Sequence, residues 1–462
     1  MGGVRRAAAV WLILFAAYAA TIDLPAFGGS RFGGDEPHYL LTAESIVSDH
    51  DLDLRDEYAG VAYRDWYPYV LERHGRLRNR QANEPTGAGF ALLIAPAYGL
   101  GGPLAVQLLL AAFAALAFVL AAALARRIVP EPWATGAALA CGLSPPALAY
   151  ATTVTPELTA GALLAAAAVL ALKVRELPRI RWVAGAALAL AALPWLGLQF
   201  TVAALVIALA MLRWLRRGAR GFALLVEVEV ILFSIVMFVT VNEQLFGGFT
   251  PAAAALPGDR LDALGAADVL DRAPRLVGLW LDRDVGVLRW APLVGLAFYA
   301  LWLLWRSRRD HIARIVPERA TVEVAATLCA LVCAAQVLVA TFVAPAMFGF
   351  FFPGRYLVAA LPVAVALVAW GMRQAPRTGT GLVALTFVTS VWWYAELRLG
   401  DATLVGSGAQ APLGPLDAAL PPFGTGSVGE PVALAAAAVA LLALTSYEWW
   451  RARTRPSGLE GF

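Results

Sequence analysis

Long apolar runs separated by short polar stretches make up most of the chain. A helix needs about 20 apolar residues to cross a bilayer core of about 30 Å. Twelve segments approach that length: 7–27, 103–125, 131–150, 157–172, 182–197, 199–212, 222–243, 288–305, 321–343, 356–372, 379–397 and 431–450. The pattern predicts an all-α polytopic membrane protein with about 12 transmembrane helices. The first run follows Arg5 and Arg6 and is longer than the apolar stretch of a signal peptide, so it reads as a retained anchor. One further apolar run, 86–101, is short and broken by Pro96 and several glycines. It predicts a helix lying at the outer interface, not a span.

The placement of charge supports that count and orients it, because cytoplasmic loops are enriched in Lys and Arg. With the N-terminus inside, the alternate short loops hold 22 of the 36 basic residues, among them Lys173, Arg175, Arg179 and Arg181, then Arg213, Arg216, Arg217 and Arg220. Counting 86–101 as a span would reverse every later loop. Both termini are therefore expected in the cytoplasm. Composition closes off other classes. Of 462 residues, 60% are hydrophobic and 15% charged, against roughly 25% charged in soluble domains. Mean hydropathy is +0.68. A soluble enzyme, a disordered chain and a disulfide scaffold are excluded. Cys141, Cys329 and Cys333 lie in apolar runs and form neither a disulfide framework nor a zinc spacing. The chain divides into a first module, 1–220, with the outer loop 28–84 and the interfacial helix 86–101, and a second module, 221–462, with outer loops 244–287, 344–355 and 398–430.

The polar residues concentrate in those outer loops. Segment 28–84 holds 11 of the 33 acidic residues, and three of the four histidines: His38, His50 and His74. Its sharpest feature is Asp35-Glu36-Pro37-His38. Gly33 and Gly34 permit a turn, Pro37 suits the first position of a helix, and the apolar spacing from Pro37 to Val47 predicts an amphipathic helix on the membrane surface. Two carboxylates at its N-terminus would be kept ionised, as a base or metal ligand requires. The plainer alternative is an acidic helix cap. Thr155-Pro156-Glu157 opens the fourth span, and Glu157 is either a functional ionisable group at the membrane boundary or a favourable dipole partner. Arg355 stands at the outer mouth of the tenth span, after Phe348, Phe350, Phe351 and Phe352. It is either an anion clamp or a side chain reaching to headgroups. The aromatic run before it suits an isoprenoid or acyl chain. Arg283 and Arg289, beside Asp282 and Asp284, are weaker candidates for anion binding. His38 and His74, with Glu36, are candidate ligands for a divalent metal, although no close His-x3-His spacing is present.

In that order along the chain, these motifs resemble the GT-C glycosyltransferases, the multispan class that uses polyprenyl-phosphate-linked sugars. The similarity is to the branch of protein O-mannosyltransferases, lipid A aminoarabinose transferases and their bacterial relatives. It rests on Asp35-Glu36 after the first span and on Asn83-Glu84-Pro85-Thr86-Gly87 followed by Phe90-Ala91-Leu92-Leu93-Ile94-Ala95-Pro96. It also rests on Thr155-Pro156-Glu157 and on Pro353-Gly354-Arg355-Tyr356. The match is closest over residues 1–200. Many relatives carry a His-Pro before the surface helix where this chain has Asn83-Glu84-Pro85, a departure that bears on any metal held by that histidine.

The resemblance implies inverting transfer of a hexose or pentose, in the manner of a mannosyltransferase, from a polyprenyl-phosphate donor to a hydroxyl of a glycan, glycolipid or protein. It implies a bacterial inner membrane with the site on its extracytoplasmic face. Asp35 would be the base, with Glu36 its neighbour or a metal ligand. Glu157 would orient the acceptor or hold a cation. Arg355, with Tyr356 and Arg283, would take the departing phosphate and its lipid. His38, Tyr39 and Glu84 would contact the acceptor or the loop. A divalent metal ion is the only cofactor suggested, and no nucleic acid is. The rival class is a secondary transporter or flippase of a lipid-linked or anionic substrate, which also commonly has twelve spans. Transporters place ionisable groups at mid-membrane, whereas here Glu227 and Glu229 are the main charges inside a span.

Overall fold

A computed structural model describes residues 2–256, 269, 271–309, 317–345, 347, 349, 351–405, 420–423 and 429–454. The expectations for Phe348, Phe350 and most of the loop 398–430 fall outside the described residues. The structure is 74% helical, and the only strand ladder among the described residues is a hairpin of β1 (Leu77–Arg78) and β2 (Gln81–Ala82). The protein is an all-α polytopic membrane protein, and each of the twelve apolar runs falls on helix.

In chain order the first half comprises α1 (Gly2–Ala19), α2 (Glu36–Ser48), α3 (Arg55–Gly60), α4 (Ala88–Ala125), α5 (Trp133–Gly142), α6 (Pro145–Tyr150), α7 (Glu157–Glu176), α8 (Ile180–Leu196), α9 (Thr201–Arg217) and α10 (Gly221–Phe246). The second half adds α11 (Arg275–Leu281), α12 (Val287–Trp290), α13 (Leu296–Arg309), α14 (Pro317–Leu338), α15 (Arg355–Val358), α16 (Leu361–Gln374), α17 (Pro376–Leu399) and α18 (Gly429–Thr454). Among the described residues, five helical stretches are long and apolar enough to cross a membrane: Ala88–Ala125, Glu157–Glu176, Leu198–Arg217, Gly221–Ala254 and Arg319–Val343. Other expected spans are shorter or interrupted. The run 131–150 becomes α5 and α6, because Pro145 and Pro146 have no N–H with which to continue the ladder.

Two elements position the site. The run 86–101 and the second span form one helical stretch, α4, broken at Gly101 (φ −169°, ψ 27°) and Gly102 (φ 60°, ψ −151°). The segment before the break is thus a separate arm, as its glycines suggested. The second element is α2, and here the structure departs from expectation. It is not an amphipathic helix with a free polar face. Leu40 and Ala43 enter the main core, while Leu41 joins Leu54, Tyr63 and Leu71 in a small core of the loop's own. The loop folds over α2, so the helix is buried on both sides.

The main core is contiguous from Val10 to Phe423. Its alanine-rich helices let backbones approach closely. Gly161 is the tightest such point near the site. A Cβ there would lie 2.9 Å from the Ala359 carbonyl oxygen and 3.2 Å from Pro362 Cγ. Only glycine lets α7 lie this close to the segment joining α15 and α16.

The charge pattern predicts which loops face outward, and two exposed glycines test it. Cysteine at Gly60, in the loop 28–84, should react with a membrane-impermeant thiol reagent in intact cells. Cysteine at Gly218, between α9 and α10, should react only after permeabilisation. Labelling of Gly218→Cys in intact cells would invert the orientation.

Candidate active site

Asp35, Glu157 and Arg355 come from three distant parts of the chain and meet. Arg355 Nη2 donates to Asp35 Oδ2 at 2.6 Å, and Arg355 Nε donates to Glu157 Oε1 at 2.8 Å. The partners are 320 and 198 residues away in sequence. Neither carboxylate caps its own helix. Asp35 occupies the N-cap position of α2 and Pro156 that of α7, yet neither helix has a side-chain cap bond. The Thr155 hydroxyl also has no partner among the described residues.

Local sequence places each group. Gly34 is left-handed (φ +55°) just ahead of Asp35. Gly354 is left-handed (φ +89°) just ahead of Arg355, so the chain turns sharply and delivers the arginine at the start of α15. The close packing at Gly161, one turn along α7 from Glu157, brings that carboxylate within reach. Phe351 and Tyr356 flank the guanidinium, with ring centroids 5.4 and 5.9 Å from Cζ.

The group is buried unevenly. The Glu157 side chain is 0% exposed, Arg355 13% and Asp35 35%. Burial pushes the Asp35 carboxyl up, but the charge and hydrogen bond of Arg355 outweigh it, and the net shift is below the usual value. Asp35 is therefore ionised at neutral pH and is the member of the group open to a second molecule. Arg355 spends one edge on the two carboxylates. Its Nη1 has no hydrogen-bond partner among the described residues.

Glu36 lies elsewhere than the metal or catalytic reading placed it. Its Oε1 accepts the Gly33 N–H at 3.1 Å and its Oε2 accepts the Val154 N–H at 2.7 Å. The side chain is a staple between the turn before α2 and the segment before α7. Burial pushes its carboxyl up to about 8 despite the two amides.

The histidines group with Glu84 instead. His38 Nδ1 lies 3.7 Å and His74 Nδ1 3.8 Å from Glu84 Oε2, with the two rings 4.1 Å apart. Tyr58 donates to Glu84 Oε1 at 2.5 Å and contacts His38 Nδ1 at 2.9 Å. With Glu84 ionised, the tyrosine's one proton is committed to it. Without an ion His38 Nδ1 then carries hydrogen toward Tyr58, and an ion held at Nδ1 would displace that proton. Burial, and then His74, hold the His38 imidazole down to about 3, so it is neutral. Burial pushes Glu84 above its usual value. Glu84 Oε2 is sealed from solvent and accepts no hydrogen bond among the described residues. A buried orphan oxygen facing two imidazoles fits the nitrogen and oxygen donor set of a zinc-class ion, with His38, His74 and Glu84 as holders. The His38 backbone N–H donates to the Asp35 carbonyl oxygen at 3.2 Å, so this group adjoins the carboxylate–arginine group.

Other expected contacts fall in different surroundings. Tyr39 is buried edge-on against Phe90, at 4.9 Å between centroids. Arg283 Nε donates to Leu420 O at 3.3 Å and its backbone N–H donates to Pro421 O. Beside it, the buried Asp282 accepts three backbone amides, from Asp284, Val285 and Phe423. That corner ties two loops together and does not meet Arg355. Phe352 is a core side chain, packed on Trp290 and Trp393 at 5.1 and 5.6 Å. Tyr58 was not among the candidates read from sequence, since one aromatic residue in an acidic loop gives no signal of its partners.

No family model and no curated protein matches the sequence. Solved structures do. ArnT from Cupriavidus metallidurans in the apo state aligns with a TM-score of 0.51 at 16% identity, over 84% of this chain and 65% of that one. ArnT from the same organism bound to undecaprenyl phosphate gives 0.49 at 15%, over 86% and 71%. The Archaeoglobus fulgidus oligosaccharyltransferase in its apo form gives 0.44 at 11%, over 87% and 53%. The chain thus spans just under two thirds of the apo ArnT structure's length. The fold is the GT-C fold.

The staple makes a definite prediction. Glu36→Gln can accept only one of the two amides and sets an NH₂ against the other. It should lower stability by about 1–3 kcal/mol, read as a lower melting temperature of the detergent-purified protein. An unchanged melting temperature would show that the two segments are held together by other contacts.

Proposed function

We propose that the chain is an inverting glycosyltransferase that moves a sugar from a polyprenyl-phosphate-linked donor to an acceptor hydroxyl on the extracytoplasmic face of a bacterial inner membrane. The observation that carries this reading is the Arg355 guanidinium held between a sealed Glu157 and a half-open Asp35. The GT-C fold shared with ArnT supports a transferase.

In this reading the acceptor hydroxyl approaches Asp35 Oδ1, the oxygen not taken by Arg355. Its oxygen bonds to the anomeric carbon from the face opposite the phosphate. The carbon–phosphate-oxygen bond breaks, and its electron pair leaves on the phosphate. The hydroxyl proton passes to Asp35. A carboxylate held below its ordinary pKa is a weak base, so proton transfer trails bond making, which suits a reaction driven by departure of a good leaving group. Arg355 fixes the position of Asp35, and its Nη1 faces no other acceptor among the described residues, so it is available to the phosphate. Tyr356 stacks beside it.

Charge balance argues for further help. Two carboxylates around one guanidinium leave the group net negative, which opposes a departing phosphate. A divalent ion bound by His38, His74 and Glu84 would supply the missing positive charge as a Lewis acid. An apolar cavity of about 370 Å³ begins at Pro85 and Thr86, directly after Glu84, and continues between Trp195, Phe238, Phe246 and Val343. Its lining suits part of a prenyl chain.

Asp35→Asn should lower transfer from a radiolabelled polyprenyl-phosphate sugar in native membranes by about 10² to 10⁴, the usual contribution of general-base catalysis, with expression and melting temperature retained. Wild-type transfer in that variant would remove Asp35 as base. A change in solute uptake with no sugar transfer by either protein would favour the transporter reading.

Arg355→Ala strands Glu157 without a counter-charge and should cost about 3–5 kcal/mol in stability. The double variant Arg355→Ala/Glu157→Gln should recover much of that loss. Equal melting temperatures for wild type and Arg355→Ala would show that the ion pair is not what holds these segments.

A further inference from the structure

A second carboxylate group lies at the other end of α2, about 20 Å from Asp35 along a helix of 13 residues. Five acidic side chains fall between Asp49 and Glu57. Two are matched. Asp53 takes the Arg55 guanidinium at 2.7 Å and the Ala82 N–H at 2.8 Å. Asp51 Oδ1 takes the Ser45 hydroxyl at 3.1 Å and the Asp53 N–H at 2.9 Å. The remaining three, Asp49, Asp56 and Glu57, converge, with one oxygen of each within 4.8 Å of the others. No basic side chain forms an ion pair with them among the described residues.

Glu57 gives this cluster its meaning. It is 6% exposed, and both of its carboxylate oxygens are sealed from solvent and lack a well-formed hydrogen bond among the described residues, with the Ser45 hydroxyl and the Asp56 carboxyl beside them. A buried carboxylate without a partner is costly. Asp49 adds a second misplaced charge, because it sits at the C-cap of α2, where the helix dipole is itself negative. Two exposed carboxylates and one buried carboxylate, with no His or Cys, form a hard, all-oxygen donor set. Calcium takes 6–8 oxygens at about 2.3–2.6 Å, often with several waters, and the exposed side of Asp49 and Asp56 leaves room for them.

We propose that Asp49, Asp56 and Glu57 bind a divalent cation of the calcium class, which clasps the end of α2 to the first turn of α3. The clasp would close the loop's small core of Leu41, Leu54, Tyr63 and Leu71 over the helix that carries Asp35. It is separate from the His38, His74 and Glu84 group in both position and donor chemistry. Burial pushes Glu57 up to about 8, so a proton shared among the three carboxyls is the competing way to settle their charge.

The experiment uses the full chain in detergent, stripped with a chelator and titrated with calcium chloride by calorimetry and thermal melting at pH 7 and pH 8.5. Wild type should bind one calcium with a dissociation constant of about 10⁻⁴ to 10⁻³ M, the range of modules outside the cytoplasm, and bind more tightly at the higher pH. Its melting temperature should rise with calcium. Asp49→Asn and Glu57→Gln should each weaken binding by about tenfold or more, while His74→Ala should bind as wild type does. Asp49 is exposed, so its variant carries the test even where Glu57→Gln fails to fold. Absence of calcium binding at both pH values, or equal affinity in wild type and Asp49→Asn, would overturn the proposal. So would stability that rises on acidification and ignores calcium, which would assign the charge to a shared proton.

Discussion

The site depends on one guanidinium. Glu157 is fully enclosed at the start of α7, where an unpaired negative charge would be prohibitive. Arg355 is the cation that makes that burial tolerable, and it reaches across to Asp35 with another nitrogen. A single planar group thereby fixes the distance between the loop before α2, the head of α7 and the head of α15. Lysine offers a point charge on a flexible stem and could not define two directions at once. The backbone features nearby serve this geometry. Gly354 turns the chain into position, and Gly161 lets α7 come close enough for a 2.8 Å contact.

The loop 28–84 has more architecture than a connection requires. It carries its own small core, covers α2 on the side away from the main core, and brings Tyr58, His74 and Glu84 back over His38. Glu36 anchors its start to the segment before α7 through two backbone amides. The result is a rigid N-terminus for α2, so Asp35 is held by its surroundings on every side except the one it presents outward. Electrostatics then divides the neighbouring acids. Asp35 stays ionised because a cation contacts it, whereas Glu36 is pushed toward the neutral form because burial outweighs its amide partners.

Periodicity and length made the helices legible, since an apolar run of span length has few other fates. The break in α4 was legible in its glycines. Asp35, Glu157 and Arg355 were each legible as charges out of place, at helix starts beside apolar runs. Their mutual contact was not, because nothing in a sequence reports that residues 320 positions apart share one ion pair. Glu36 misled because an Asp-Glu pair looks like two equivalent acids. Only the fold shows that one turns to Arg355 and the other back onto Gly33 and Val154. The burial of α2 was missed for a similar reason. Its apolar spacing fits a surface helix, and the covering side chains, Leu54, Tyr63 and Leu71, come from a stretch too polar to announce a core.

The long reach of the Arg355 contacts also sets an order of events during biosynthesis. A ribosome adds about 5–20 residues per second, so the 198 residues between Glu157 and Arg355 take roughly 10 to 40 seconds to make. For that interval the head of α7 exists without its counter-ion. The nascent chain must hold Glu157 protonated, hydrated or outside the hydrocarbon until α15 arrives. The segment around Glu157 therefore settles late, and the site closes only once Arg355 has been made.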